Sequence, residues 1–283
     1  MVKTSTSMAE PGAPAAYALP RDTLIARGPD RKSWLDGLLT NKVADVTGGS
    51  AGYGLLLTKQ GKIVTDAFLL DTGSELFVGV ASGRGRAVRE LLDRYLVMED
   101  AELAEAEGAT SWYLAPQGSA LPAGTVASGR LALGGLQAEL GIGGESSGLP
   151  SAAELLAVHG LGVFGVDFSE QDNPHEASLD RLAVCWTKGC YLGQEVVCMQ
   201  DMRGKVKRRL VAFDASAALL EPAAGRAEVT GPDGSVAGQV TSVHASAAGT
   251  RVLASISTAA LEARVPLEVR GQPLCAVSAP SPS

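Results

Sequence analysis

Beyond Gly204 the chain is cut into short β-rich runs by turns that few residue types can make. The runs are 207–213, 227–230, 236–243, 251–256 and 267–277, and two of the connections read Gly231-Pro232-Asp233-Gly234 and Arg270-Gly271-Gln272-Pro273. Glycine supplies positive φ, proline fixes φ for a turn, and aspartate bonds its own backbone, so such stretches fold one strand back on the next. Residues 205–279 are therefore expected to form a compact all-β module, a small barrel.

Upstream the texture mixes helix and strand. A tail over 1–18, rich in Ser, Thr, Ala and Pro, gives way to a strand at Thr23 to Arg27. Asp30 then caps a helix expected to run through Leu39, with Trp34, Leu35, Leu38 and Leu39 at helical spacing. The turn Lys59-Gln60-Gly61 between two apolar runs predicts a hairpin over 53–70, and a third strand follows at 76–80. Val88, Leu91, Leu92, Tyr95 and Leu96 share one face of a helix predicted over 85–98. Helices packed on an antiparallel sheet make an α+β module of 19–105. A second α+β module, 106–204, begins with a strand at Trp112, passes through short strands and long turns over 116–150, and reaches a helix over 151–159 capped by Ser151 with Glu154 three residues on.

In that module Asn173-Pro174-His175-Glu176 has the composition of a helix start, and Leu179, Leu182, Ala183 and Trp186 repeat at helical spacing behind it. The spacing predicts a helix that Gly189 ends. Directly after comes Lys188-Gly189-Cys190-Tyr191-Leu192-Gly193-Gln194-Glu195, which sets a cation, a thiol, a ring, an amide and a carboxylate beside two glycines. A loop of this kind lets backbone approach a ligand while offering several hydrogen-bonding groups. A further helix from Gly193 would point its N-terminus at Cys190 and Tyr191, a favourable place for an anion. Lys188 serves either that loop or the end of the preceding helix.

The net charge of −7 argues against general coating of nucleic acid, although Arg203, Lys205, Lys207, Arg208 and Arg209 form a local basic run next to the loop. Cys185, Cys190, Cys198 and Cys275 contain no CxxC pair and read as reduced thiols. His175, Cys185 and Cys198 lie near Cys190 in the sequence, but their spacings are irregular and no metal site is expected from them. No apolar run is long enough for a membrane span and the tail lacks the apolar region of a secretory signal, so a cytoplasmic protein without a membrane partner is expected.

The octapeptide, followed by Arg203-Gly204, resembles the signature of the YgfZ family, folate-binding proteins of tRNA modification and iron–sulfur cluster repair that are related to the T-protein of the glycine cleavage system. The resemblance extends to Trp34-Leu35-Asp36-Gly37-Leu38-Leu39-Thr40-Asn41, to Leu57-Thr58-Lys59-Gln60-Gly61-Lys62 with Asp66, to Pro174, Glu176, Ala177, Leu179 and Asp180, and to Gly238-Gln239-Val240-Thr241-Ser242. It implies a three-module cloverleaf around a central opening for tetrahydrofolate. Cys190 would be the functional residue, and Lys188, Gly189, Tyr191, Gly193, Gln194, Glu195, Asp66 and Arg203 would attend the cofactor. It implies iron–sulfur client enzymes or assembly factors as partners, and tRNA at the basic run. A folate-dependent aminomethyltransferase of the T-protein type is the alternative; the sequence departs from relatives at Leu156, Gly162 and Met199, and 81–86 offers no match to the T-protein's reactive aspartate.

Overall fold

The computed structural model describes residues 15–108, 110–144, 147–204, 206–216, 226–246 and 249–277. Of the features expected from sequence, the first 14 residues of the tail and Lys205 lie outside them.

The hairpin predicted around Gly61 organises the first half of the molecule. Strands β3 (Gly49–Leu57) and β4 (Ile63–Asp71) pair antiparallel from Ala51 with Leu70 to Leu57 with Ile63. On the far side of β4 lie β5 (Leu76–Ala81), β2 (Arg21–Arg27) and β6 (Glu102–Glu105). Helices α1 (Arg31–Asp36) and α2 (Gly85–Asp93) cover one face, and Leu24, Leu35, Leu56, Leu69, Val78, Val88 and Leu92 form the core between them and the sheet.

Both helices are shorter than their apolar spacing suggests. After Asp36 the amide of Gly37 bonds to Ser33 and Trp34, Leu38 continues as a turn, and Leu39 forms an isolated bridge with Leu56. After Asp93 the amides of Arg94, Tyr95 and Leu96 reach only three residues back, while the Tyr95 carbonyl accepts from Trp34 Nε1 at 3.1 Å. The Asp30 carboxylate accepts the Asp100 amide rather than capping α1. Tertiary partners have taken the groups that would have extended or capped these helices.

The second half is built on β1 (Tyr17–Leu19), β7 (Trp112–Pro116), β8 (Thr125–Leu133) and β9 (Leu136–Gly143), with α3 (Ala152–Val158) capped by Ser151 Oγ. The expected tail therefore ends early: Ala16 is buried and Tyr17–Leu19 pairs with β7. Where short strands and long turns are expected, β8 and β9 form a long hairpin turned by Gly134. A short parallel pairing of Gly49 and Ser50 with Gly129 and Arg130 joins the halves into one nine-stranded sheet, β1-β7-β9-β8-β3-β4-β5-β2-β6. The two half-sheets also pack through Trp112, whose ring lies so close over Gly79 that a Cβ there would sit 2.8 Å from it, while its Nε1 donates to Thr23 Oγ1. Truncating such a fully buried ring costs about 3–5 kcal/mol.

The C-terminal turns act as expected. Strands β10 (Arg208–Ala215), β11 (Glu228–Thr230), β12 (Val236–Ser246), β13 (Gly249–Ser257), β14 (Leu267–Val269) and β15 (Gln272–Ala276) close into a barrel, with α5 (Thr258–Glu262) after β13. Phe213, Val229, Val252, Ile256 and Val269 fill it. The fold is α+β, with few short helices, a large sheet and a small closed barrel.

The segment between α3 and the octapeptide departs most from its periodicity. The local cap forms: Asn173 Oδ1 accepts from the amides of His175 and Glu176, and Glu176 Oε2 accepts from the Asn173 amide. No helix follows. Ser178 has φ +56, its hydroxyl donates to the Leu210 carbonyl, and the Leu210 amide donates to Glu176 O. The backbone here pairs with the barrel instead of with itself, and the chain descends in turns to Gly193.

Candidate functional site

The octapeptide loop is fixed at three points and free between them. Lys188 is the first anchor. Its ammonium donates to the carbonyls of Asp36 at 2.6 Å, Leu39 at 3.1 Å and Asn41 at 2.9 Å, and pairs with the Asp36 carboxylate at 3.2 Å. Its side chain is only 2% exposed. These acceptors belong to α1's last residue and the turns behind it, where helix geometry leaves carbonyls without partners. Lys188 thus closes an element far earlier in the chain, and its ammonium does not face a ligand. Burial lowers its pKa, opposed by Asp36.

Tyr191 is the second anchor. Its ring is buried, Lys188 Nζ lies 5.9 Å from the ring centroid, and its hydroxyl is buried without a hydrogen-bond partner among the described residues. Desolvation pushes the phenol far above its ordinary pKa, with charge on Cys198 and Cys185 adding to the effect. Gly193 is the third. It adopts φ +82 with its Cα packed on the first hairpin, so that a Cβ would stand 2.5 Å from Thr58 O. The Leu192 amide donates to Gly37 O and completes the attachment.

Between the anchors the loop faces outward. Cys190 is exposed, and so is Gly189, where a Cβ would meet no atom within 4 Å and where φ is not positive. Gly189 is therefore not a left-handed helix terminus. Helix α4 (Gln194–Arg203) starts immediately after Gly193, with half-buried Gln194 and exposed Glu195 in its first turn and exposed Arg203 in its last. The structure brings Cys190, Gln194 and Glu195 together at the start of α4 and leaves Arg203 at the opposite end.

Asp66 is apart from this loop and closed off. It is 1% exposed, both its oxygens meet the Arg21 guanidinium, and Tyr53 Oη donates to Oδ2 at 3.2 Å. Burial, then the Asp66 charge, raises the Tyr53 phenol well above its usual range. Tyr53 forms part of the wall of a cavity of about 150 Å³ whose other polar lining is Asn41, Lys42 and Asp45, with Leu131, Leu133 and Leu182 as aliphatic walls. Asp66 thus stands behind this wall, with its acceptor capacity already engaged.

Cys185 sits near the same cavity. Its amide donates to Thr40 O, and its sulfur lies 3.6 Å from Thr187 Oγ1. Burial pushes the thiol up, but hydrogen bonds from Thr187 Oγ1 and from the amides of Thr187 and Lys188, helped by the Lys42 charge, outweigh it and bring the thiol below its ordinary value. Neither Lys42 nor Tyr53 stands out in the sequence, because the cavity is assembled from segments some 50 to 140 residues apart in the chain, and only the run ending in Asn41 marks its edge.

The cavity offers the Lys42 ammonium and the Asp45 carboxylate beside aliphatic walls, while the Tyr53 hydroxyl already donates to Asp66 and the Asn41 amide group to Tyr53 O. It is smaller than the roughly 300–1,000 Å³ of pockets that enclose drug-sized molecules. A second, more open groove of about 520 Å³ runs over the barrel beside Lys207, Arg208 and Gln239. No residue of the octapeptide lines either hollow.

The basic run is partly engaged internally: Arg208 pairs with Asp172 at 2.7 Å and Arg209 with Asp180 at 3.1 Å. Arg203 and Lys207 are exposed. Among the described residues, no helix is long and apolar enough to cross a membrane.

No protein-family model and no curated protein matches the chain. Among solved structures, the crystal structure of glycine cleavage system aminomethyltransferase T from Bartonella henselae is similar, with a TM-score of 0.69 over 93% of this chain and 84% of that one, at 16% sequence identity. At that identity the likeness establishes the fold, and the chain has the architecture of that aminomethyltransferase.

Proposed function

We propose that the chain is an accessory protein of the YgfZ type, which binds tetrahydrofolate and supports iron–sulfur cluster assembly or repair through Cys190, with tRNA modification among the processes its clients serve. One observation carries this reading: within an octapeptide held by Lys188, Tyr191 and Gly193, the thiol-bearing residue is left exposed. A loop built to bury its sulfur would pack Cys190 where Tyr191 packs.

An exposed, positioned sulfur is suited to transient coordination. Its lone pair forms a bond to an iron of a client cluster while the thiol proton leaves to water, with no change in oxidation state, and reprotonation releases the iron. Rigid neighbours lower the entropy cost of presenting that atom. Tetrahydrofolate, when bound, supplies a carrier for one-carbon units. Lys42 would pair with its carboxylate tail, Asn41 would bond its ring edge, and Tyr53 with Leu131, Leu133 and Leu182 would flank the ring. Of the basic run, Arg203 and Lys207 are the residues to which we assign contact with tRNA.

Complementation tests the proposal. In a strain lacking this protein, the wild-type gene restores cluster-enzyme activity and Cys190→Ala does not, while Cys275→Ala, which removes another exposed thiol, does. Full rescue by Cys190→Ala rejects the thiol mechanism. The fold likeness favours one other reading, aminomethyl transfer. Incubation with tetrahydrofolate and an aminomethylated carrier protein separates the two, because only a transferase forms methylenetetrahydrofolate.

A further inference from the structure

A buried histidine whose ring nitrogens make no hydrogen bond among the described residues stands beside two carboxylates. His175 has a side chain only 3% exposed, and neither Nδ1 nor Nε2 makes a hydrogen bond among the described residues. A neutral imidazole carries one N–H donor and one lone pair, and an imidazolium two N–H donors, so leaving both nitrogens unmatched is unfavourable unless something else fills the coordination. Its Nε2 lies 3.5 Å from Asp201 Oδ1 on α4. Asp180, 4% exposed in its side chain, completes a cluster in which one ligand atom from each residue lies within 4.8 Å of the others.

A shared ion would draw the cluster together slightly. Two ligands each about 2.1 Å from a metal are about 3.4 Å apart in tetrahedral geometry and at most about 4.2 Å apart, so the outermost oxygen of the group moves inward by a fraction of an ångström from the 4.8 Å limit. A cation already bridges the carboxylates. Arg181 Nη2 lies 2.8 Å from Asp201 Oδ1 and its Nε 3.6 Å from Asp180 Oδ2, yet its side chain is 61% exposed and rests at the surface on the Trp186 ring. Trp186 also stacks edge-on to His175 and restricts the imidazole's rotation. Arg209, on Asp180 Oδ1, is an outer partner of the kind that orients a ligating carboxylate.

We propose that His175, Asp180 and Asp201 bind one divalent transition-metal ion of the Mn²⁺, Fe²⁺ or Zn²⁺ class. An imidazole nitrogen with two carboxylate oxygens suits these ions and is a poor set for Mg²⁺ or Ca²⁺. The neutral imidazole and both carboxylates donate lone pairs, no covalent bond breaks, and Arg181 moves from Asp201 into solvent. The ion would pin α4 to the turn-rich segment that carries the chain into the octapeptide. The site is independent of the function proposed for Cys190.

The test uses the full chain, stripped with chelator and titrated with MnCl₂, following the free Mn²⁺ signal by electron paramagnetic resonance and the heat by calorimetry. Manganese is chosen because thiolates, which compete for zinc, bind it poorly. One Mn²⁺ should bind per chain, with nitrogen coupling from an imidazole in the pulsed spectrum. Zn²⁺ should displace it and excess Mg²⁺ should not. His175→Ala and Asp201→Asn should each weaken binding at least tenfold. Asp201 is only partly buried on a helix surface, so its variant keeps the test valid if the His175 variant does not fold. Arg181→Ala, which removes the competing cation, should tighten binding several-fold. Cys185→Ser and Cys198→Ser should leave it unchanged. Absence of saturable binding, binding indifferent to Asp201→Asn, or loss of binding in the cysteine variants would overturn the proposal.

Discussion

Lys188 offers the sharpest test of how the octapeptide is held. Replacing it with methionine keeps the aliphatic stem and removes the ammonium, so the carbonyls of Asp36, Leu39 and Asn41 and the Asp36 carboxylate lose a shared donor in a place that is almost fully buried. Breaking a buried charged contact by removing one partner costs about 3–5 kcal/mol, because the partners left behind stay dehydrated. In a chain of this size that lowers the melting temperature by about 10 °C. Lys188→Arg should recover little, since a planar fork cannot place one donor centre among three carbonyls as an ammonium does. Scanning calorimetry of the three proteins measures this directly. If Lys188→Met remains within about 1 kcal/mol of the parent, the anchoring role assigned to Lys188 is wrong.

Three further outcomes follow from the same geometry. Gly193→Ala meets Thr58 O and a left-handed backbone and should cost more than about 2 kcal/mol in denaturant titration, whereas Gly189→Ala, with open space and ordinary φ, should stay within about 0.5 kcal/mol. Alkylation of Cys185, followed by mass spectrometry across pH, should show a midpoint below the ordinary 9.0 of a thiol and shift upward in Thr187→Val. Because this acid's pKa is depressed on folding, the stability it contributes is present above the unfolded value and declines as pH falls through the folded one. Tyr53 and Tyr191 titrate the other way: both folded phenols lie above the ordinary 10.0, so their contribution is complete below that pH and is lost as pH rises through their folded values. Ultraviolet titration should find both silent until the protein unfolds; their ionisation in the native state would contradict the assigned burial.

The parts of this molecule legible in the sequence are those whose signals are local. The turn at Gly61 brings β3 and β4 together, the glycine turns after Gly204 close the barrel, and Gly193 begins α4, each from residues adjacent in the chain. The helix expected after Asn173 has an equally good local signal, and its cap forms as the residues dictate. It fails because Ser178 and Glu176 find partners on β10, a competition invisible in a window of one helix. The same holds for function. The octapeptide marks where to look, but the direction in which Lys188 points depends on carbonyls some 150 residues earlier, and Asp66 looks like a ligand until Arg21 and Tyr53 are found on it. The cavity near Lys42 and the cluster at His175 are assembled from separate segments, so neither has a motif to announce it.

The function proposed for the octapeptide depends on one sulfur standing at the surface while its neighbours are tied down. Brief treatment of the native protein with a neutral alkylating reagent, quantified for all four cysteines by mass spectrometry, measures that directly. Cys190 should react at a rate within about tenfold of free cysteine, and Cys198, half-buried on α4, should lag behind it. Protection of Cys190 by more than about a hundredfold, relieved only by denaturant, would contradict the structure of the loop and the role assigned to it.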